Sequence, residues 1–298
     1  MQTTSWLSDL LALLWTGTVS GCLYALGAMG IVLIYKSSRV VNFAHGNMAG
    51  LSAFLVFGLA GGGLAQLPWG VAVLCSLGLL ALLAPVAYVL IAPLVFRSDL
   101  TSTIATLGVG LMIQGATQLV FGSDVVNLDL PLPRWSAQWG PVRVTAYDVC
   151  VLGATALLIG TLYLVIDRTR VGVAFRAVAA NPFASRVCGL SLRQLHAMSW
   201  AAAALLGVVS ALLIVPTTFL SSTTVSSFML QAFAAAVIGG FTSLPGAVLG
   251  GIFIGILTNL LSFYIAAEFN NSFLLVSMLA LLVLRPQGLL SRSAISRA

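Results

Sequence analysis

The chain alternates long apolar stretches with short polar connections, and nine of the apolar stretches resemble membrane helices in composition. A helix needs about 20 mostly apolar residues to cross the hydrocarbon core of a bilayer. The second and seventh stretches are short enough to be broken or re-entrant helices. The predicted spans are 10–34, 43–60, 71–96, 101–121, 145–166, 191–215, 226–240, 247–264 and 272–284.

Composition supports the same class of protein. The 298 residues are 60% hydrophobic and only 7% charged, against roughly a quarter charged in ordinary soluble domains. The mean hydropathy is +1.09. The predicted fold class is therefore all-α, a polytopic membrane protein with about eight to ten transmembrane helices, including short or broken ones. Residues 1–298 are predicted to form a single integral membrane domain.

Capping-box patterns mark two of the predicted helix starts. Asp148 follows Thr145 by three residues, and Gln194 follows Ser191 at the same distance. In such a box each of the two side chains accepts a hydrogen bond from the backbone N–H of the other residue. Both spans are predicted to begin in this way.

The positive charges predict how the chain is oriented. Short loops rich in Lys and Arg are retained on the cytoplasmic side of a membrane. With the N-terminus outside and the C-terminus in the cytoplasm, Arg134 and Arg143 fall in an extracytoplasmic loop at 122–144. The other eleven of the thirteen basic residues are then cytoplasmic: Lys36, Arg39, Arg97, Arg168, Arg170, Arg176, Arg186, Arg193, Arg285, Arg292 and Arg297.

The most basic connection, at 167–193, also carries the signals of a short helix. Asn181 can cap a helix N-terminus, Pro182 suits the first helical position, and Gly189 can end the helix about two turns later. A capped helix on a cytoplasmic loop is a structure that another protein could push.

A polar stripe runs along the fourth predicted span. Its members recur at helical spacing and so share one face of the helix. Such a face could line a cavity, or it could hydrogen-bond to neighbouring helices in a packed bundle; the sequence leaves both open. The stripe consists of Thr103, Thr106, Gly110, Gln114, Thr117 and Gln118.

Glycine-containing interruptions occur near both ends of the chain, at 42–46 and 238–246. Broken helices of this kind mark the translocation path in many transporters, although tight turns between helices would look the same. Asn42 and His45 lie one helical turn apart, and we hypothesise that they order a broken helix at the cytoplasmic end of the path. A lone His such as His45 or His196 also commonly serves as a structural hydrogen-bonding group.

Small residues on the eighth predicted span form another packing face, and Gly17 and Gly21 on the first span have similar spacing. Such faces let helix backbones approach closely. On the eighth span the face could be a subunit interface or an internal contact; on the first, simple packing is predicted. The eighth-span residues are Gly246, Gly250, Gly251 and Gly255.

The sequence lacks the signals of several classes of function. The net charge of +6 includes no basic run interleaved with aromatic residues, so nucleic-acid binding is not predicted. The four cysteines have no metal-ligand spacing. The only lysine, Lys36, follows Tyr35 rather than a glycine, so there is no phosphate-binding loop. No catalytic constellation is present and no carboxylate lies deep in a span, so neither an enzyme nor a proton-coupled transporter is predicted.

Four short segments together carry a family resemblance. They are Val-Asn-Phe-Ala-His-Gly at 41–46, the run from Arg-Val-Gly at 170–172 through Arg-Ala-Val-Ala-Ala-Asn-Pro at 176–182 to Gly189, Ile-Gly-Gly-Phe-Thr-Ser-Leu-Pro-Gly-Ala at 238–247, and Leu-Arg-Pro-Gln-Gly-Leu at 284–289. In this order, and on a matching hydropathy pattern, they resemble the permeases of branched-chain amino acid ABC importers.

The resemblance implies a multi-pass permease of a bacterial plasma (inner) membrane, surrounded by lipid. Its implied partners are two ATP-binding cassette ATPase subunits, an extracytoplasmic substrate-binding protein, and a second related permease or another copy of this chain. It implies no cofactor in this chain, because the partner ATPase uses the ATP. A coupling helix docks on that ATPase in such importers, and 181–189 matches its position. The predicted coupling residues are Arg176, Asn181, Pro182, Arg186 and Gly189.

The implied cargo is leucine, isoleucine or valine, or a related small polar solute. The alternative function is a stand-alone channel or facilitator for small neutral solutes such as urea or amides. The predicted substrate-pathway residues are Asn42, His45, Thr103, Thr106, Gln114, Thr117 and Gln118. The predicted broken-helix and gating residues are Gly46, Gly239, Gly240, Pro245 and Gly246.

Overall fold

The computed structural model describes residues 2–61, 64–95, 98–285 and 288–290. Arg97, Pro286, Gln287, Arg292 and Arg297, which entered the sequence argument, lie outside these residues. The described chain is almost entirely helical. Its helices are α1 (Gln2–Ser38), α2 (Ala44–Ala60), α3 (Trp69–Val95), α4 (Asp99–Phe121), α5 (Ala146–Arg168), α6 (Arg170–Ala180), α7 (Pro182–Val187), α8 (Leu192–Ile214), α9 (Ser222–Gly239), α10 (Leu244–Tyr264) and α11 (Asn270–Leu284), with one hairpin of β1 (Ser136–Trp139) and β2 (Val142–Thr145).

The all-α membrane architecture is confirmed. Among the described residues, seven helices are long and apolar enough to cross a membrane, and two shorter apolar helices cover Ala44–Ala60 and Ser227–Gly239. Each of the nine predicted spans corresponds to one of these helices, and the two short ones are those at 43–60 and 226–240.

The chain forms two compact units. The first unit combines Met1–Met29, Pro131–Leu157 and Leu230–Ala298, and the second unit combines Gly30–Leu130 and Leu158–Met229. The helices α1, α5 and α9 contribute residues to both.

The core of the second unit is built by α2, α3, α4 and α8, which pack against one another. Trp200, Tyr88 and Met48 are among its largest fully buried side chains. On α4 the polar residues Thr106 and Thr117 are buried. Exposed apolar side chains, including Ile104, Leu111 and Leu119, occupy other positions on the same helix. This distribution suits a helix whose outer face contacts hydrocarbon.

Helices α1 and α10 of the first unit meet through glycine. A Cβ atom on Gly255 would lie 2.3 Å from the carbonyl oxygen of Gly17 and 2.3 Å from the backbone nitrogen of Gly21. A Cβ atom on Gly250 would lie 2.2 Å from the carbonyl oxygen of Ala235 on α9. The small-residue face of α10 is therefore an internal contact, and the prediction that Gly17 and Gly21 serve packing is confirmed.

The capping-box predictions had different outcomes. The backbone N–H of Thr145 donates to Oδ2 of Asp148 at 2.9 Å, and the N–H of Asp148 donates to Oγ1 of Thr145 at 3.2 Å, so this box is confirmed. The prediction for Ser191 was wrong, because its side chain makes no capping hydrogen bond. Its hydroxyl instead donates to the side-chain oxygen of Gln194.

The sequence analysis missed the hairpin that precedes α5. Strands β1 and β2 pair antiparallel, with Trp139 opposite Val142 and Ser136 opposite Thr145. The two-residue turn begins with Gly140 at a φ of 60°, a conformation that favours glycine in tight hairpins. The polar segment 122–144 therefore contains regular structure. The side chain of Trp139 in this hairpin is 76% exposed.

Candidate translocation path and coupling helices

The connection between α1 and α2 is fixed by hydrogen bonds from two sides. The Oδ1 atom of Asn42 accepts from the N–H of Ala44 at 3.0 Å. The hydroxyl of Thr106 on α4 accepts from the N–H of Phe43 at 3.1 Å and lies 3.2 Å from the carbonyl oxygen of Val41. Two backbone N–H groups at the break in the helix are thus satisfied by side chains, as a buried break requires.

His45 lies in the first turn of α2 and is 2% exposed. Its imidazole is held between glycines of α1 and α8. A Cβ atom on Gly30 would come within 2.5 Å of Nε2, and one on Gly207 within 3.0 Å of Cε1. A larger residue at position 30 would keep α1 away from this ring, and a larger residue at position 207 would keep α8 away from it. The Nε2 atom has no hydrogen-bond partner.

The polar stripe of α4 faces α2. A Cβ atom on Gly110 would lie 2.9 Å from the side-chain nitrogen of Asn47 and 3.2 Å from the Cα atom of Ala44. Further along, Gln114, Thr117 and Gln118 line a narrow cleft of about 20 Å³, which is enough for a single water molecule. One end of the stripe therefore packs against its neighbour, and the other end borders a small polar space.

Residues 240–243 form the turn between α9 and α10. Gly240 has a φ of 97°, and its N–H donates to the carbonyl oxygen of Ala236 at 2.9 Å. Ser243 caps α10 by accepting from the N–H of Gly246 at 3.1 Å, and Pro245 lies in the first turn of that helix. Gly239 and Gly246 bring the two backbones together, because a Cβ atom on Gly239 would lie 2.1 Å from the Gly246 oxygen.

The segment after α11 completes this turn. The N–H groups of Leu289 and Leu290 donate to the carbonyl oxygens of Ile238 and Gly239 at 2.9 and 3.4 Å. Gly288 has a φ of 83°, and a Cβ atom there would lie 2.5 Å from the Cα atom of Gly240. Sequence reasoning gave the segment at 284–289 no structural role. The Gln-Gly-Leu pattern predicts a turn, but it does not indicate that this turn contacts the end of α9.

The loop at 167–193 contains two helices rather than one, and α6 joins it firmly to the end of α5. Arg176 donates to the carbonyl oxygen of Ile166 and to Oδ1 of Asp167, both at 2.9 Å. Gly172 packs beneath the same turn, since a Cβ atom on it would lie 2.1 Å from the Ile166 oxygen. Arg176 therefore contributes a contact within the chain, in addition to its charge.

The short helix α7 has the predicted caps. Asn181 accepts from the N–H of Ala184 at 3.0 Å, Pro182 is the first helical residue, and Gly189 has a φ of 81°. Behind it, Val178 of α6 forms a buried cluster with Leu192 and Leu195 of α8. The two helices are thus attached both to α5 and to α8.

Two large apolar side chains project from α7 without burial. Phe183 and Val187 are each 76% exposed and lie four residues apart, on one side of the helix. Arg186 lies in the last turn of the same helix. Sequence reasoning did not select Phe183 or Val187, although their spacing on a capped helix was a usable signal.

Comparison with known proteins identifies the family. Residues 13–284 match the family described as branched-chain amino acid transport system / permease component. The chain belongs to this permease family. It is 30% identical, over 90% of its length and 88% of the relative's, to a protein from Methanocaldococcus jannaschii named probable branched-chain amino acid transport permease protein LivH.

Two further relatives of the permease family align over almost the whole chain. High-affinity branched-chain amino acid transport system permease protein LivH of Salmonella typhimurium is 25% identical, covering 95% of this chain and 96% of the relative. The corresponding protein BraD of Pseudomonas aeruginosa is also 25% identical, covering 94% and 95%. All three relatives are named as branched-chain amino acid transport permease proteins.

The second unit of this permease brings together every predicted pathway residue, on α4 and at the start of α2. The predicted coupling residues lie on α6, α7 and the residues beside α7. Of the predicted gating residues, Gly46 lies in the second unit and the others lie in the first. A Cβ atom on Gly46 would come within 2.6 Å of the Met229 side chain.

Among the described residues, no three His, Cys, Asp or Glu side chains are placed to hold a metal ion.

Proposed function

We propose that this chain is the transmembrane permease subunit of an ATP-binding cassette importer that carries branched-chain amino acids. A separate ATPase supplies the energy, and an extracytoplasmic binding protein delivers the substrate. The chain works with two ATPase subunits and a second permease in a bacterial inner membrane. The names of the three relatives support the cargo, and the seven long apolar helices support insertion in a membrane.

The observation that carries this proposal is the attachment of α6 and α7. Arg176 and Gly172 fasten α6 to the end of α5, and the cluster of Val178, Leu192 and Leu195 fastens it to α8. A force applied to α7 would therefore reach two membrane-spanning helices. Movement of packed helices by a partner that closes on ATP is an established kind of switching transition.

The exposed apolar pair on α7 supports docking of a protein there. Single exposed apolar residues are common, but Phe183 and Val187 form an adjacent pair beside a positive charge, which suits an anchor in a pocket of the ATPase.

The alternative, a stand-alone channel for small neutral solutes, requires an open polar path. The polar cleft beside Gln114 and Thr117 measures about 20 Å³, enough for a single water molecule. A narrow cleft suits a path that opens only when it is driven.

Uptake in proteoliposomes separates these two functions. Labelled leucine should accumulate when this chain is reconstituted with its partner permease and ATPase subunits, and only with both ATP and loaded binding protein. Flux through this chain alone, indifferent to ATP, would establish a channel. Stimulation of the ATPase by a binding protein loaded with another solute would retain the mechanism and replace the cargo.

Substitutions on α7 test the docking helix directly. Phe183→Ala with Val187→Ala should weaken association with the ATPase roughly tenfold or more, because truncating a buried interface anchor typically costs about 1–2 kcal/mol. Val173→Ala is the matched control, since Val173 is also exposed but lies on α6. Equal ATPase affinity of the double variant and the control would contradict the assignment of α7.

A further inference from the structure

An open groove lies in the second unit, where the last turns of α3 meet the segment from α7 to α8. Its volume is about 550 Å³, within the range of roughly 300–1,000 Å³ that is typical of small-molecule sites. Residues from both sides line it, among them Tyr88, Val89, Pro93, Arg186, Leu190 and Arg193. Because α3 and α8 are membrane spans and α7 is not, the groove lies at the boundary between the bilayer and water.

The charged side chains that line the groove among the described residues are both positive. They are Arg186 and Arg193, and none of the described lining residues is a carboxylate. Two arginines facing one space favour an anionic occupant with several oxygen acceptors, such as a phosphate.

The floor of the groove is formed before any ligand arrives. The hydroxyl of Tyr88 lies 2.9 Å from Nδ1 of His196, and the two rings are almost perpendicular. The ring of Trp200 lies 5.8 Å from that of Tyr88 and is fully buried. A floor held in this way needs little ordering on binding, which favours affinity. It also confirms that His196 serves a structural hydrogen bond.

An apolar surface continues from the groove along α3. Val89 lines the groove, and Leu82, Val86 and Leu90 are 71%, 56% and 68% exposed on the same side of the helix. Ala84 and Ile91 occupy the opposite, buried side. In a membrane-embedded helix, the exposed side contacts acyl chains.

We propose that this groove binds an anionic phospholipid. Its phosphate lies between Arg186 and Arg193, and its acyl chains follow Leu82, Val86 and Leu90. Basic pockets between transmembrane helices on the cytoplasmic side are suited to anionic headgroups. Since Arg186 is part of α7, the bound lipid braces the docking helix against α3. This site requires membrane insertion but not ATP-driven import.

Native mass spectrometry of the purified full-length chain tests the site without any partner protein. The wild type should retain phosphatidylglycerol in preference to phosphatidylcholine with the same acyl chains. Arg186→Gln with Arg193→Gln should lower the retained phosphatidylglycerol roughly tenfold or more. The control Arg168→Gln with Arg170→Gln removes the same charge from the same loop but not from the groove, and it should retain the lipid.

Additional variants separate a lipid site from a general charge effect. Arg186→Lys with Arg193→Lys keeps the charge and loses the bidentate geometry, so its retention should be intermediate. Leu82→Ala with Leu90→Ala should lower retention while leaving both arginines in place. Size-exclusion chromatography and far-ultraviolet circular dichroism identify any variant that is misfolded. If the glutamine variant is misfolded, the lysine and leucine variants are used to test the site instead.

Four results would overturn the proposal. They are unchanged retention in the glutamine variant, equal loss in the Arg168 and Arg170 control, equal retention of phosphatidylcholine, and full displacement by water-soluble glycerol phosphate. If the glutamine variant bound the ATPase less tightly while keeping its phosphatidylglycerol, the groove would accept an acidic segment of the ATPase instead. Failure of leucine uptake would bear on the proposed function alone.

Discussion

The backbones of Gly30 and Gly207 lie against the ring of His45. This arrangement allows a bulky polar residue to be buried at a helix break without separating α1 from α8. It also means that a larger residue cannot replace either glycine while the ring of His45 stays in place. The break beside Asn42 also depends on Thr106, whose hydroxyl accepts a hydrogen bond from the N–H of Phe43.

Gly30→Ala should lower the thermal stability of the purified protein. The new Cβ atom would lie 2.5 Å from Nε2 of His45 and 3.3 Å from the Ala203 oxygen, and Gly207 blocks movement of the ring on its other side. Overpacking of this kind typically costs about 1–3 kcal/mol. Thermal unfolding in detergent measures the loss.

A double-mutant cycle assigns that loss to the histidine. In a His45→Ala background the ring is absent, so Gly30→Ala should cost at least about 1 kcal/mol less than in the wild type. Gly108→Ala is the control, because a Cβ atom on Gly108 would meet nothing within 4 Å; its stability should be unchanged or slightly higher. Equal effects of Gly30→Ala in both backgrounds would show that the ring is not what the Cβ atom meets.

Helix pairing in the first unit depends on close approach of α1 and α10. Gly255→Ala should separate them, since the Cβ atom would meet backbone atoms of Gly17 and Gly21 at 2.3 Å. Backbone cannot rotate away as a side chain can, so a loss of at least about 2 kcal/mol is expected. Thermal unfolding and resistance to proteolysis report it. Gly160→Ala on α5 is the matched control, with open space around its Cβ position, and a loss as large as that of Gly255→Ala would contradict this account.

The long helices could be predicted from sequence because each needs an apolar stretch of fixed length, and turn residues mark its ends. The helix α6 was missed because Arg170 and Arg176 interrupt its apolar positions, although Phe175 and Val178 are buried. The hairpin at Ser136–Thr145 was missed because a short polar strand pair has weak periodicity. The caps of α7 were predictable, since Asn181, Pro182 and Gly189 act through local geometry.

The environment of the polar stripe could not be predicted, for a different reason. A helix that lines a cavity and one that packs against polar neighbours require the same residue types at the same spacing. Only the position of α2, with Asn47 against Gly110, distinguishes the two ends of the stripe. In the same way, the glycines of α10 predict a close approach, but not that its partners are α1 and α9.

At the scale of the whole molecule, the proposed function depends on which side of the membrane carries α7. Eleven of the thirteen basic residues are cytoplasmic only if the N-terminus is outside. In that orientation α6 and α7 face the compartment that contains ATP, and the hairpin of β1 and β2 is extracytoplasmic, as the proposed binding protein would be. The reverse orientation would place the docking helix where no ATPase could reach it.

The native cysteines allow this orientation to be measured. Cys188 is exposed immediately after α7, whereas Cys22, Cys75 and Cys150 lie within membrane-spanning helices. In membranes that contain this chain without its ATPase, a membrane-impermeant maleimide should label Cys188 in inside-out vesicles and not in right-side-out vesicles. Cys188→Ser should abolish that signal. Gln138→Cys, added to Cys188→Ser, should be labelled with the opposite sidedness because it lies in the hairpin. Labelling of Cys188 from the outside would reverse the topology and exclude α7 as the site where ATP hydrolysis is coupled to transport.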